Sequence, residues 1–299
     1  MPPHRRRLWT LALVGSALVL LIAAGYALFG RPRHVAAPYV PPAPGCQAGT
    51  GVQAIPMEED QAAIAATIAG VAARHRLPRE AVIVAYAAAL QESQMQDLDY
   101  GDRDSVGVFQ QRPSQGWGTT AELEDPVYAT TKFFAALVHV PRYAKLPVYQ
   151  AAQDVQHSAD GSAYEQWAEV ATLLAGYFTG AQPHGVSCWF TPTRRTDLAA
   201  AERQLTETFG PQGRNAVMVT VTTARSGKKG RDRSAAVVRV QRDAAWTVAS
   251  WLVANAQDYG ISEVRYAGYE WTAADGSMGW QRASAPHGAA RATTSIVAG

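Results

Sequence analysis

The sequence predicts a multidomain protein: an N-terminal transmembrane helix, a mainly α domain, and a small C-terminal α/β domain. Three observations lead there. Residues 8–29 contain no charged side chain. Residues 57–180 read as successive helices without strand-like alternation. Beyond residue 214, period-two alternation appears on both sides of one amphipathic helix. The 299 residues are 47% apolar and 17% charged, which supports a real core and lies outside the composition of disordered chains. With 27 Lys and Arg against 25 Asp and Glu, the net charge of +2 argues against a dedicated nucleic-acid binder. That balance hides an asymmetry. Residues 1–34 hold five arginines and no acid, residues 35–190 hold 8 basic and 16 acidic side chains, and residues 191–299 hold 14 and 9.

The 22 residues at 8–29 would form a helix of about 33 Å, enough to cross a hydrocarbon core of about 30 Å. Arg5, Arg6 and Arg7 precede it, so residues 1–7 form a cytoplasmic tail by the positive-inside rule. A cleaved signal peptide is the rival reading, with small residues at Val35-Ala36-Ala37. Signal-peptide cores run about 7–15 residues, which favours an uncleaved single-pass anchor. Both readings export the rest of the chain. The linker at 30–45 carries five prolines, a composition for an extended spacer. Cys46 and Cys188 are the only cysteines, and in an oxidising compartment they are expected to pair.

Helices are expected over 57–76, 79–95, 125–138, 147–158 and 162–178. The first opens on Glu58-Glu59-Asp60, suited to the positive end of a helix dipole. The second is apolar nearly all round and is expected to be the buried central helix. The third has Asp125 as N-cap and Pro126 at the first helical position. Glu92 falls at the end of the central helix. Desolvation favours the protonated form of a carboxyl, which is what general-acid cleavage of a glycosidic bond requires.

Beyond Glu92-Ser93 lies a turn-rich segment, 97–105, leading into Val106-Gly107-Val108-Phe109-Gln110-Gln111. This pattern resembles the lysozyme-like superfamily, especially soluble lytic transglycosylases and goose-type lysozymes. Those families carry Glu-Ser at the end of a central helix and a Gly-Leu-Met-Gln-like segment along the cleft. Residues 91–129 are closer still to membrane-anchored bacterial members, and the wider likeness spans 46–188 with both cysteines. The resemblance implies a lysozyme-like domain at 46–189 with Glu92 as catalytic acid. It further implies substrate binding by Ser93, Tyr100, Asp104, Gln110, Gln111 and Trp117, through acetamido hydrogen bonds from the glutamines and stacking by the aromatic rings. Asp99, Asp102 and Asp104 are candidates for a second carboxylate, with turn chemistry as their plainer role. The segment fails the EF-hand pattern, and no metal or organic cofactor is expected. The family's later Ala-Tyr-Asn-Ala-Gly-like segment has its nearest counterpart at 152–159, where Val155 and Gln156 stand for tyrosine and asparagine. His157 reads as a helix-surface histidine.

A linker at 190–213 with one short helix at 197–209 is expected before the C-terminal α/β domain at 214–299. That domain has strands at 216–223, 235–240, 262–271 and 292–297 and a helix at 243–259. Its run from Trp246 to Trp271 resembles a module on secreted wall-active proteins, distantly like zinc D-alanyl-D-alanine peptidases. Beyond His184 only His287 remains, too few histidines for a three-ligand zinc site, so a non-catalytic binding or spacer module is expected. Arg225, Lys228, Lys229, Arg231 and Arg233 form a basic loop suited to anionic wall polymers, and Trp271 and Trp280 are expected to pack rather than bind sugar. Together these readings imply a membrane-tethered, outward-facing enzyme acting on peptidoglycan glycan strands. Lytic transglycosylation is favoured over hydrolysis, and a non-enzymatic glycan-binding scaffold is the competing class.

Overall fold

In the computed structural model, which describes residues 43–158, 160–210, 218–220, 236–240, 242–283 and 295–298, the centre is the apolar run read as a buried helix. The expected span at 8–29, most of the proline-rich linker, the basic loop and His287 lie outside the described residues. Among the described residues no helix is long and apolar enough to cross a membrane.

Strands β1 (Gly45–Ala48) and β2 (Ile55–Met57) come first, followed by α1 (Glu59–Arg74) and α2 (Arg79–Ser93). A one-turn helix, α3 (Thr120–Leu123), precedes α4 (Pro126–Leu137) and α5 (Val148–Gln156). A 3₁₀ segment, Gly161–Trp167, runs into α6 (Ala168–Phe178), and β3 (Val186–Trp189) and α7 (Leu198–Phe209) follow. The C-terminal part contributes β4 (Met218–Thr220), β5 (Ala236–Arg239), α8 (Ala245–Ala254), α9 (Ala256–Tyr259), β6 (Glu263–Tyr266), β7 (Tyr269–Thr272), β8 (Gln281–Arg282) and β9 (Ser295–Ala298).

Local chemistry sets the ends of these helices. Glu58 and Gln61 form a reciprocal capping box at the start of α1, satisfying backbone donors that a helix cannot satisfy itself. Asp125 accepts from the Val127 N–H at 2.8 Å and Pro126 takes the first position of α4. Helix α2 is buried from Ala81 to Leu90, as its all-round apolar sequence requires. Helices α1, α4, α5 and α6 pack around it. The buried Tyr86 hydroxyl, which needs an acceptor, donates to the Ala65 carbonyl of α1 at 2.7 Å.

Two findings differ from the sequence reading. The helical part carries a three-stranded antiparallel sheet, ordered β2-β1-β3, in which Cys46 lies directly opposite Cys188. Strands of three or four residues are too short to show a periodicity, so the sequence alone gives them no signature. The single strand expected at 262–271 is instead the β6–β7 hairpin. Its two turn residues, Ala267 and Gly268, both have positive φ, the geometry that follows the right-handed twist of the flanking strands.

The described residues form one compact unit. The segment read as a linker contributes α7, whose stripe of Leu198, Ala201, Leu205 and Phe209 is buried on α1. Helix α8 is buried nearly throughout and lies against α1, β3 and strands β6 and β9 of the six-stranded sheet, ordered β4-β5-β9-β6-β7-β8. Hydrogen bonds stitch β3 to the C-terminal elements. The indole N–H of fully buried Trp271 donates to the Cys188 carbonyl at 2.9 Å, Trp280 to the Val186 carbonyl at 2.8 Å, and the Ser187 hydroxyl to the Gly276 carbonyl at 2.6 Å. Trp271 thus belongs to the core, and Trp280 packs half-buried against it.

The Cys46–Cys188 disulfide closes a sequence separation of 142 residues and joins the two strands that bracket the helical part. Replacing both cysteines by serine is expected to lower the free energy of unfolding by about 2–5 kcal/mol, mainly through the freer unfolded chain, as read from urea midpoints.

Candidate active site

Glu92 is half-buried in the last turn of α2, where ten buried residues give way to polar ones. Its Oε1 accepts a hydrogen bond from the Tyr164 hydroxyl at 2.5 Å. Tyr164 is fully buried in the 3₁₀ segment, and Ser158 hydrogen-bonds the same phenol. Burial, and then the bond to Glu92, push the phenol's pKa upward, so the hydroxyl keeps its proton and acts as a donor. Among the described residues the glutamate's carboxyl takes no other hydrogen bond.

Residues 152–159, the nearest counterpart of the Ala-Tyr-Asn-Ala-Gly-like segment, do not supply this contact. Val155 is buried, and the Gln156 side chain donates to the Phe109 carbonyl at 2.8 Å, tying α5 to the segment after the turn-rich loop. The tyrosine that meets the glutamate comes nine positions after Val155, across a loop and in a 3₁₀ segment. The signal that could have found it was the dipeptide Ala163-Tyr164, which repeats the first two residues of the Ala-Tyr-Asn-Ala-Gly-like segment. Accordingly the helix expected over 162–178 begins as 3₁₀, a common prelude to an α-helix, started by Asp160 accepting from Ser162.

The loop between Ser93 and Trp117 is folded by its own backbone. Gln94 and Met95 both have positive φ, which ends α2 abruptly. Gly107 N–H donates to the Leu98 carbonyl at 2.7 Å, and Val106 and Gln111 exchange two hydrogen bonds at 3.0 and 3.1 Å around a tight turn. Gly107 has φ +76, and a Cβ there would collide with the Leu123 backbone, so no larger residue fits. Asp104 accepts from Arg112 Nε at 2.8 Å, the Ser114 N–H at 2.7 Å and the Ser114 hydroxyl at 3.0 Å. Arg112 first, then Ser114, hold its carboxyl well below the usual carboxylate range.

A cleft of about 1070 Å³ opens beside Glu92. Of the residues singled out from sequence, Glu92, Gln110, Gln111 and Trp117 line it together, and of the three loop aspartates only Asp102 joins them. The lining also includes His139 and residues 154–158 around the end of α5, where His157 is exposed at the helix C-cap, a surface position that borders the cleft. Ser93, Tyr100 and Asp104 do not line it. Ser93 is only 4% exposed, and its hydroxyl lies 2.8 Å from the Val108 carbonyl and 3.1 Å from the Ala89 carbonyl while accepting from Gln96 N–H. It therefore clips the Gly107–Gln111 turn to the end of α2. Tyr100 is 68% exposed on the outer loop. The Gln110 amide donates to the Tyr100 and Gly107 carbonyls at 3.1 and 3.3 Å, so its donors are engaged in shaping the loop. Gln111 is 2% exposed and its side-chain oxygen meets no partner. Among the described residues no cluster of three or more His, Cys, Asp or Glu is placed to hold a metal ion. No family model matches the chain, and no curated protein does either.

Asp97, at the foot of the loop, is pushed up to about 6 by burial and by the charges of Glu124, Asp125 and Asp99. The folded protein thus binds this proton more tightly than the unfolded chain, and the associated stability is lost as pH rises from about 4 through 6. Asp97→Asn removes that loss. The variant is expected to exceed the wild type in urea midpoint at pH 7.5 and to show no such advantage at pH 4.

Proposed function

We propose that the protein cleaves the β-1,4 bond between N-acetylmuramic acid and N-acetylglucosamine in peptidoglycan, with Glu92 as general acid, on the outer side of a membrane to which residues 8–29 tether it. This reading includes a lysozyme-like fold for the helical part. The observation that carries it is a half-buried carboxyl in the wall of a large polar cleft, held on one oxygen by a buried tyrosine and otherwise unengaged. With Oε1 taken by Tyr164, Oε2 is left to serve the glycosidic oxygen.

In the transglycosylase form, the Glu92 proton passes to the leaving oxygen of N-acetylglucosamine as the C1–O bond breaks. The resulting carboxylate takes the proton of the muramyl C6 hydroxyl, whose oxygen bonds to C1 and closes a 1,6-anhydro ring. Atoms and protons balance without water, and one carboxyl suffices. Hydrolysis needs a second carboxyl flanking the bond. Asp102 is the one loop aspartate that shares the cleft, which keeps this second reading in view. Its side chain is 90% exposed and lies 3.8 Å from Arg103, a solvated setting that favours the single-carboxyl route.

The test is digestion of purified sacculi by the full-length protein in detergent, with products read by mass spectrometry. Anhydromuropeptides are expected, and Glu92→Gln should slow their release by about 10²–10⁴-fold. Reducing ends in their place would assign hydrolysis and give Asp102→Asn the same loss. Binding to sacculi without release would overturn the enzymatic reading in favour of a glycan-holding scaffold.

A further inference from the structure

The residue before the glutamate grips the segment that carries the tyrosine. Gln91 Oε1 accepts from the Trp167 indole N–H at 2.9 Å and from Gln166 Nε2 at 3.0 Å, both more than 70 residues away in sequence. An indole nitrogen only donates, so the Gln91 amide must present its oxygen, and the two lone pairs of that oxygen match the two donors. Gln166 also donates to the Ala163 carbonyl at 3.0 Å, linking the clasp back into the turn.

The segment needs such a clasp. Gly161–Trp167 is a seven-residue 3₁₀ helix, whereas 3₁₀ runs beyond three or four residues are uncommon because their hydrogen bonds are poorly aligned. Asp160 fixes its start by accepting from the Ser162 N–H at 3.0 Å and hydroxyl at 2.6 Å. Its far end is held by Gln91. Successive residues of an α-helix point about 100° apart, so Gln91 and Glu92 seize the segment from two directions, one at Trp167 and the other at Tyr164. Gln91 does not line the cleft.

We propose that Gln91 is a positioning residue: by fastening Trp167 and Gln166 to the end of α2, it keeps the Tyr164 hydroxyl on Glu92. The proposal rests on the reading of Glu92 as the catalytic acid. Because Gln91 acts through Tyr164 and stays clear of the cleft, its loss should lower kcat and leave KM alone.

The test is a set of cycles on the full-length protein, using soluble peptidoglycan glycan oligomers as substrate. Gln91→Met keeps the side-chain length and replaces the amide oxygen by a thioether, a much weaker acceptor, and Trp167→Phe removes the same hydrogen bond from the other side. Each is expected to lower kcat about tenfold, as small misplacements of reacting groups do, with KM changed less than twofold. In a Tyr164→Phe background neither should lower kcat further. An unchanged kcat, a rise in KM alone, or an equal fall in the Tyr164→Phe background would overturn the proposal. Hydrogen exchange gives a readout that needs no turnover: Gln91→Met should speed exchange at 161–167 and leave α2 protected. If the wild type cleaves no glycan, the enzymatic reading falls, and exchange alone decides whether Gln91 fastens the segment. Unchanged exchange there would overturn the clasp.

Discussion

Helix α2 is hidden along ten consecutive residues, Ala81 to Leu90, and the rest of the helical part is arranged to cover it. A helix buried this way must still resolve its last carbonyls and its first polar side chains where water becomes reachable. Here the resolution falls on three neighbours with three separate tasks. Gln91 holds the 3₁₀ segment, Glu92 meets the tyrosine that this segment carries, and Ser93 clips the turn at Val108. Each task draws a different part of the chain to one point. The cleft forms where those parts meet, so its shape is a by-product of how the buried helix ends.

The turn beside the glutamate holds its geometry against local preference. Gln94, Met95, Arg103 and Gln110 all have positive φ, a region that costs non-glycine residues roughly 1 kcal/mol or more each. The compensation comes from charge-assisted and backbone hydrogen bonds, chiefly those of Asp104 with Arg112 and Ser114 and the paired bonds of Val106 and Gln111. Several side chains with the look of ligand contacts are thereby committed to the loop itself. Asp104 holds the loop from outside the cleft and Gln110 does so while lining it, so the groups left to face it are fewer than the motif alone implies.

How much of this was legible depended on whether the signal was local. The buried character of α2 follows from its composition, the cap of α4 from Asp125-Pro126, and the disulfide from a pair of cysteines with no other partner. Glu92 stood out through the resemblance carried by Glu92-Ser93 and Gly107-Val108-Phe109-Gln110, since a carboxyl in the last turn of a helix would by itself read as a solvated one. The Tyr164 contact was hard to read, since it joins positions 72 residues apart and its local signal was only the dipeptide Ala163-Tyr164 in a segment with no periodicity. The three-stranded sheet escaped because strands of three or four residues are too short for a period-two pattern to stand out. The placement of α8 was also hidden. The sequence reads an amphipathic helix there, whereas α8 is buried nearly throughout because α1 and β3 cover it as well as strands β6 and β9.

The placement of α8 bears on modularity. A chain whose parts each own a core can lose or exchange one of them, whereas α1, β3 and α8 here share theirs. Cutting at residue 190 would strip the cover from α1 and leave the Val186 and Cys188 carbonyls without the indole donors of Trp280 and Trp271. The C-terminal part is thus a wall of the same building and not an appended room. Replacing it with an unrelated module would require a new helix with the same buried face, so the two parts are coupled by packing and not only by the chain that joins them.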